Sequence, residues 1–462
     1  MSVSEAPDVA YDISREEPQQ IPLSWNQAFL CGFDRGDEEG PFGPRYTIVC
    51  GWRLTGALDV RVLGDALNDV VARHEALRTE IIRGDGSHQR VRPPTPARLV
   101  VRDLSGVAPE DRGQRAEELL NEVEAEPFPV AELPLVRATV ARFDERDAVL
   151  VLVAHHTAAD EWSMRLIMRD LVNRYAARRG HAMPDLPQTR QYREYVDWER
   201  AGVDPVELAR SQAYWRENLR GARVLGIRAD HPRSAGLPKG TAWRRFHLPA
   251  DLVSAALRIG KETRCSLFMV LLAAYGTYLR DRARATDIVI PTFSSGRGRA
   301  DFHDTVGSFF NFLPLRVDLA ACATFREAVL RTRAACIGAY SHDIPFVQVV
   351  QEAPELMLPA MEDDIALIVF QVFKSPLGGE REIAGDLEYS VIRRRVLSQQ
   401  AGADVPDGAM WHLEVDPTGE IIGSMAYNTN LFDDDTIGEM VREFGETLYR
   451  VVTAPDVSLG GD

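Results

Sequence analysis

The stretch that most constrains this chain is AVLVLVA, residues 148–154, which runs without a polar break into HHTAAD at 155–160. Seven consecutive apolar residues suit a strand covered on both faces. Such a strand needs neighbours on each side and packed layers above and below, so it belongs at the centre of a sheet with flanking helices. The residues around it agree. Positions 134–143 read as a strand returning through the turn Asp144-Glu145-Arg146-Asp147. From about Trp162 to Arg178, Leu166, Ile167, Leu171 and Tyr175 fall on one side of a helix.

The same reading extends in both directions. Residues 45–54 predict a strand, 59–80 a helix with Asp59 as N-cap, and 111–126 a charged helix. The polar, Pro-containing segment 181–190 is taken as a boundary between lobes. Beyond it, helices are expected at 191–200, 205–219, 250–259, 266–280, 324–339 and 433–452. Strands are expected at 242–248, 287–293, 312–318, 365–373, 411–416 and 420–427. Strands and helices mix in both halves, which predicts an α/β (α+β) chain of two lobes, 21–185 and 186–462, behind a flexible acidic tail at 1–20. A length of 462 residues exceeds one ordinary domain and suits two such lobes.

Composition excludes several classes of function. A net charge of -16 disfavours general binding to nucleic-acid phosphates. The start of the chain is acidic with no apolar stretch, so it is no signal peptide, and no run of 18 apolar residues predicts a membrane span. Five widely spaced cysteines, with no C-x-x-C, fit neither a disulfide framework nor a zinc ribbon, and a reducing cytoplasm is the expected location. Neither a dinucleotide fingerprint nor a Walker loop is present.

The chemistry-bearing segment is His155-His156-Thr157-Ala158-Ala159-Asp160. A histidine at the end of a rigid buried strand can hold its ring in a cleft. Imidazole titrates near neutrality, so it can take a proton from a hydroxyl or amine attacking a carbonyl. By spacing alone, a structural histidine and a plain helix cap at Asp160 remain open alternatives. A metal is disfavoured, because adjacent strand residues point to opposite faces.

Six further segments, in order, carry a resemblance. They are Ser24 to Gln27 (SWNQ), Arg73 to Thr79 (RHEALRT), Tyr192 to Trp198 (YREYVDW), Val306 to Arg316 (VGSFFNFLPLR), Ser341 to Phe346 (SHDIPF) and Tyr427 to Phe432 (YNTNLF). Together with His155 to Asp160, which matches H-H-x-x-x-D-G, they resemble the condensation domains of nonribosomal peptide synthetases. Those domains belong to the chloramphenicol-acetyltransferase-like superfamily. RHEALRT and YREYVDW read as mainly structural.

The resemblance implies two chloramphenicol-acetyltransferase-like lobes in a V-shaped pseudo-dimer, each with a central mixed sheet and flanking helices. It implies an acyltransferase that takes an acyl or aminoacyl group from the phosphopantetheine thioester of a peptidyl carrier protein and passes it to a small alcohol or amine acceptor. No covalently bound cofactor, metal, nucleic acid or membrane is implied. His156 would be the catalytic base, His155 and Asp160 structural, and Arg297, in Gly296-Arg297, the partner of Asp160. Asn311 and Ser308 would contact substrate or the oxyanion. Glu161 stands where the family has Gly, and Phe312 where it has Thr, which points to an unusual acceptor. The architecture is similar to free-standing condensation enzymes, including those that form esters in enediyne antibiotic assembly. The alternatives are an acyl-CoA-dependent relative and a non-catalytic docking module.

Overall fold

The computed structural model describes residues 20–202, 204–373, 381–405, 407–416 and 418–459. All but the last residue of the expected tail therefore lies outside the described part. The strand Asp147–His155 occupies an interior position of a six-stranded mixed sheet. Thr47–Thr55 flanks it on one side and Val136–Arg142 on the other, both antiparallel. Alternate residues face two different cores. Leu150, Leu152 and Ala154 pack under the helices Val60–Arg73 and Glu161–Arg178. Val149, Val151 and Val153 pack under Arg112–Ala125. The uninterrupted apolar run is thus required by two-sided burial.

A second mixed sheet of five strands runs in the order Gly226–Arg228, Ile365–Phe373, Gly408–Val415, Ile421–Asn428, Thr241–Leu248. The helices Ala250–Thr263, Leu267–Ala283, Phe325–Ser341 and Asp434–Thr453 contribute to its core, which centres on Trp411, Tyr275, Phe370 and Phe444. The molecule is two-lobed and α+β, with helices flanking mixed sheets. The two halves of the sequence are not separate in the sheets. Leu387–Val391 pairs with Thr47–Thr55, and Glu382–Ala384 pairs with Leu387–Val391, so the later half donates two strands to the first sheet.

Most predicted elements occur with shifts of a few residues, but the helix expected over 59–80 stops at Arg73. His74 leaves the helical region, a single 3-10 turn covers Glu75–Arg78, and a strand Thr79–Ile82 follows. The apolar spacing gives no sign of this break, because its cause is tertiary. The Gln191 side chain donates to the Arg73 carbonyl (3.0 Å) and accepts from the Glu75 amide (3.0 Å). Arg73 and His74 both bond to the buried Asp170 carboxylate, at 2.8 and 2.9 Å. RHEALRT is a scaffold knot between two helices.

Candidate active site

The site grows from the end of the Asp147–His155 strand. Register sets Thr47 opposite His155, so Tyr46 lies beside His156 and its carbonyl accepts from the His156 amide at 2.8 Å. The two histidine rings diverge, as successive strand residues do. His155 is fully buried. Its Nε2 lies 3.1 Å from the Gly43 carbonyl, which can only accept, so Nε2 carries the proton. Nδ1 then accepts from the Thr157 hydroxyl at 2.8 Å. Burial pulls its pKa down to about 4, which keeps the ring neutral.

His156 retains partial exposure. Its ring stacks on Tyr46 (centroids 5.0 Å apart, planes at 20°) and meets Phe310 edge-on at 5.6 Å. Nδ1 is buried and has no hydrogen-bond partner among the described residues. Burial lowers the pKa of this imidazole, and the nearby backbone together with the Asp160 charge only partly offsets that. At neutral pH the ring is an unprotonated base clamped between two aromatic side chains.

Asp160 does two jobs. It caps the helix Glu161–Arg178, accepting from the Ser163 amide at 2.7 Å. It also receives a forked contact from Arg297, with Nη2 2.8 Å from Oδ1 and Nε 3.1 Å from Oδ2. Arg297 is buried and donates to the Phe302 and Thr305 carbonyls and to the Ser163 hydroxyl as well. Its guanidinium lies 4.0 Å from the centre of the Phe309 ring. The preceding Gly296 has φ +63°, and a Cβ there would sit 1.6 Å from the Phe309 carbonyl oxygen. Only glycine lets the two segments approach this closely.

Glu161 is not free. Its carboxylate meets Arg165 at 3.3 Å, and Arg165 also reaches Glu414 on the second sheet at 3.7 Å. Arg393 lies 3.6 Å from the same Glu414 oxygen. Burial pushes both carboxyls up, Glu414 to about 7. Where the family pattern has glycine, this chain has one end of an ionic bridge between lobes.

Asn311 and Ser308 sit in the supporting framework. The Asn311 amide donates to Asp343 (2.7 Å) and the Ile344 carbonyl (2.9 Å) and accepts from the Phe346 amide (3.0 Å). Ser308 is buried, and its hydroxyl and carbonyl accept from Asn26 at 3.1 and 2.9 Å. Tyr192 donates to the same carbonyl at 2.7 Å. Sequence reasoning missed Tyr46, Phe310, Arg165 and Glu414. A signal existed for Phe310 alone: it lies in the segment VGSFFNFLPLR that carries the resemblance, two residues before the departure at Phe312.

The model of the condensation domain family matches residues 45–460. The chain belongs to the condensation domain family. Linear gramicidin synthase subunits C and B from Brevibacillus parabrevis are each 30% identical to this condensation domain, over 96% and 95% of its length. It spans only 6% and 8% of those proteins. Among solved structures, the SgcC5 protein from Streptomyces globisporus is 50% identical with a TM-score of 0.92, covering 95% of this chain and 100% of that one. It was crystallised with (R)-(-)-1-(2-naphthyl)-1,2-ethanediol and sucrose. The X-domain from teicoplanin biosynthesis is 26% identical with a TM-score of 0.74, covering 96% of this condensation domain and 97% of the X-domain. Among the described residues, no group of His, Cys, Asp and Glu is arranged to hold a metal, and no helix is long and apolar enough to cross a membrane.

Proposed function

We propose that this condensation domain esterifies a small alcohol, taking an acyl or aminoacyl group from the phosphopantetheine thioester of a separate carrier protein in the cytoplasm. The observation that carries the reading is the neutral, partly exposed His156 ring at the end of a rigid strand. The choice of an alcohol draws on the aryl diol bound by the similar SgcC5 protein.

In this reading His156 accepts the hydroxyl proton as the oxygen attacks the thioester carbonyl. The carbon–oxygen bond forms and a tetrahedral oxyanion develops. Collapse breaks the carbon–sulfur bond, and the departing pantetheine sulfur recovers the proton from the imidazolium. A neutral base suits a hydroxyl well, since a hydroxyl arrives with its proton and no charge. His155 fixes the strand end, and Asp160 with Arg297 fixes the turn that follows. Asn311 and Ser308 act at one remove, through the loops they hold. The two lobes divide near 181–190, with the 382–391 strands crossing back.

Replacing His156 by Ala tests this directly. Ester formation from loaded carrier protein and an aryl diol, followed by mass spectrometry, should fall about 10²- to 10⁴-fold. The similarity to the X-domain, which forms a complex with OxyB, supports a second reading as a non-catalytic recruiting module. An unchanged ester yield in H156A would favour that module. Faster transfer from the acyl-CoA thioester than from the carrier would shift the donor class.

A further inference from the structure

An unbroken line of aromatic rings leads from the His156 imidazole to the molecular surface. Phe310 meets the imidazole at 5.6 Å, and Phe293 lies 5.3 Å from Phe310. Phe312 follows at 5.7 Å, Phe29 at 6.4 Å and Phe33 at 5.0 Å. Phe33 is 52% exposed. Phe312, buried among core side chains, needs no explanation beyond packing. Phe310 and Phe293 are different. Both keep some exposed surface: Phe310 touches the imidazole of the proposed base, and Phe293 stands behind Phe310 on the edge of the second core. Paired strands set Phe293 directly across from Phe312, so the ladder itself orders these rings. Phe312 stands where the family pattern has threonine, so one ring of this line departs from that pattern.

Aromatic faces that are left uncovered beside a catalytic group favour a flat apolar partner, through edge-to-face and offset contacts. We propose that Phe310 and Phe293, with Tyr46 across the imidazole, form the wall that selects an aryl group on the acceptor, making Phe310 the specificity-determining residue. The ring of the acceptor packs on Phe310 and Phe293 while its hydroxyl meets His156. The inference rests on the reading of the acceptor as an alcohol and adds which alcohols are chosen and by what.

The test compares two acceptors, 1-(2-naphthyl)-1,2-ethanediol and 1,2-propanediol, with wild type, Phe310→Val and Phe293→Leu, using the same loaded carrier. Wild type should prefer the aryl diol. Phe310→Val should raise the KM for the aryl diol about tenfold, a loss of the size expected for aromatic packing. Phe310 also clamps the imidazole, so kcat falls on both diols, and the readout is the ratio of their KM values, which should shift about tenfold toward the aliphatic diol. An unchanged KM ratio, with the aryl preference undiminished in both variants, would overturn the inference. If wild type esterifies both diols equally well, the aryl wall is wrong and the alcohol reading stands. If it esterifies neither but acylates an amine, the alcohol reading itself has failed. Thermal melting of each variant, expected to match wild type, separates these outcomes from misfolding.

Discussion

Two adjacent imidazoles in this protein are proposed to have opposite tasks, and pH separates them. His156 has a pKa lowered by burial from 6.5, so its neutral form is complete above that value and is lost as pH falls through the folded pKa. The kcat/KM for ester formation should therefore hold flat from pH 8 down past 6.5 and decline only below it. An inflection near 7 would instead point to the Glu161–Glu414 carboxyls, since Glu414 is raised to about 7. His155 affects stability. Its folded pKa of about 4 lies below the 6.5 of a free ring, so the unfolded chain binds the extra proton between these values. Stability is fully present above 6.5 and drains away as pH falls toward 4, by about 3 kcal/mol in all. Urea midpoints at pH 7 and pH 5 should differ accordingly, and His155→Gln should reduce the difference.

At the scale of elements, the turn between the His-bearing strand and the helix Glu161–Arg178 is held by one carboxylate. Removing it in Asp160→Ala takes away a helix cap, worth about 1 kcal/mol, and strands a buried guanidinium, worth about 3–5 kcal/mol. Denaturant melts should show a loss near the sum. Activity lost by this variant should track its unfolded fraction, and His156→Ala should lose activity with its melting curve intact. Gly296→Ala should destabilise too, because its left-handed backbone and the 1.6 Å approach to the Phe309 carbonyl leave no room for a methyl group.

Across the whole molecule, the lobes are joined by a strap. Residues 392–399 follow the donated strand Leu387–Val391 and lie along the helix Arg112–Ala125. Asn121 donates to the Leu397 carbonyl at 3.1 Å, and the buried Glu124 receives Arg395 (2.7 Å), Gln399 (2.6 Å) and Arg245 of the second sheet (3.5 Å). Burial would raise the Glu124 carboxyl, but Arg395 and Arg245 hold it below its ordinary range. A depressed carboxylate stabilises above its unfolded pKa of 4.5, and that support is lost as pH falls through the folded value. Glu124→Ala deprives two largely buried arginines of their carboxylate and should cost about 3 kcal/mol or more. It should also loosen the lobes, measured as faster amide exchange in residues 392–399.

What the sequence determined by itself was local in cause. Continuous apolarity revealed the buried central strand, helical spacing revealed its flanking helices, and the ordered motifs, through the resemblance they carry, pointed to His156, Asp160 and Arg297. What only the tertiary structure decided depended on partners far apart in the chain. The break at His74 is made by Gln191 and Asp170, and the first sheet is completed by strands from 382–391. Glu161 is drawn into a bridge by Glu414, and Tyr46 and Phe310 come to the imidazole through strand register and a returning loop. Periodicity reports which face of an element is apolar. It carries no information about which distant element covers that face, because that choice is settled by packing and by buried charges finding their partners.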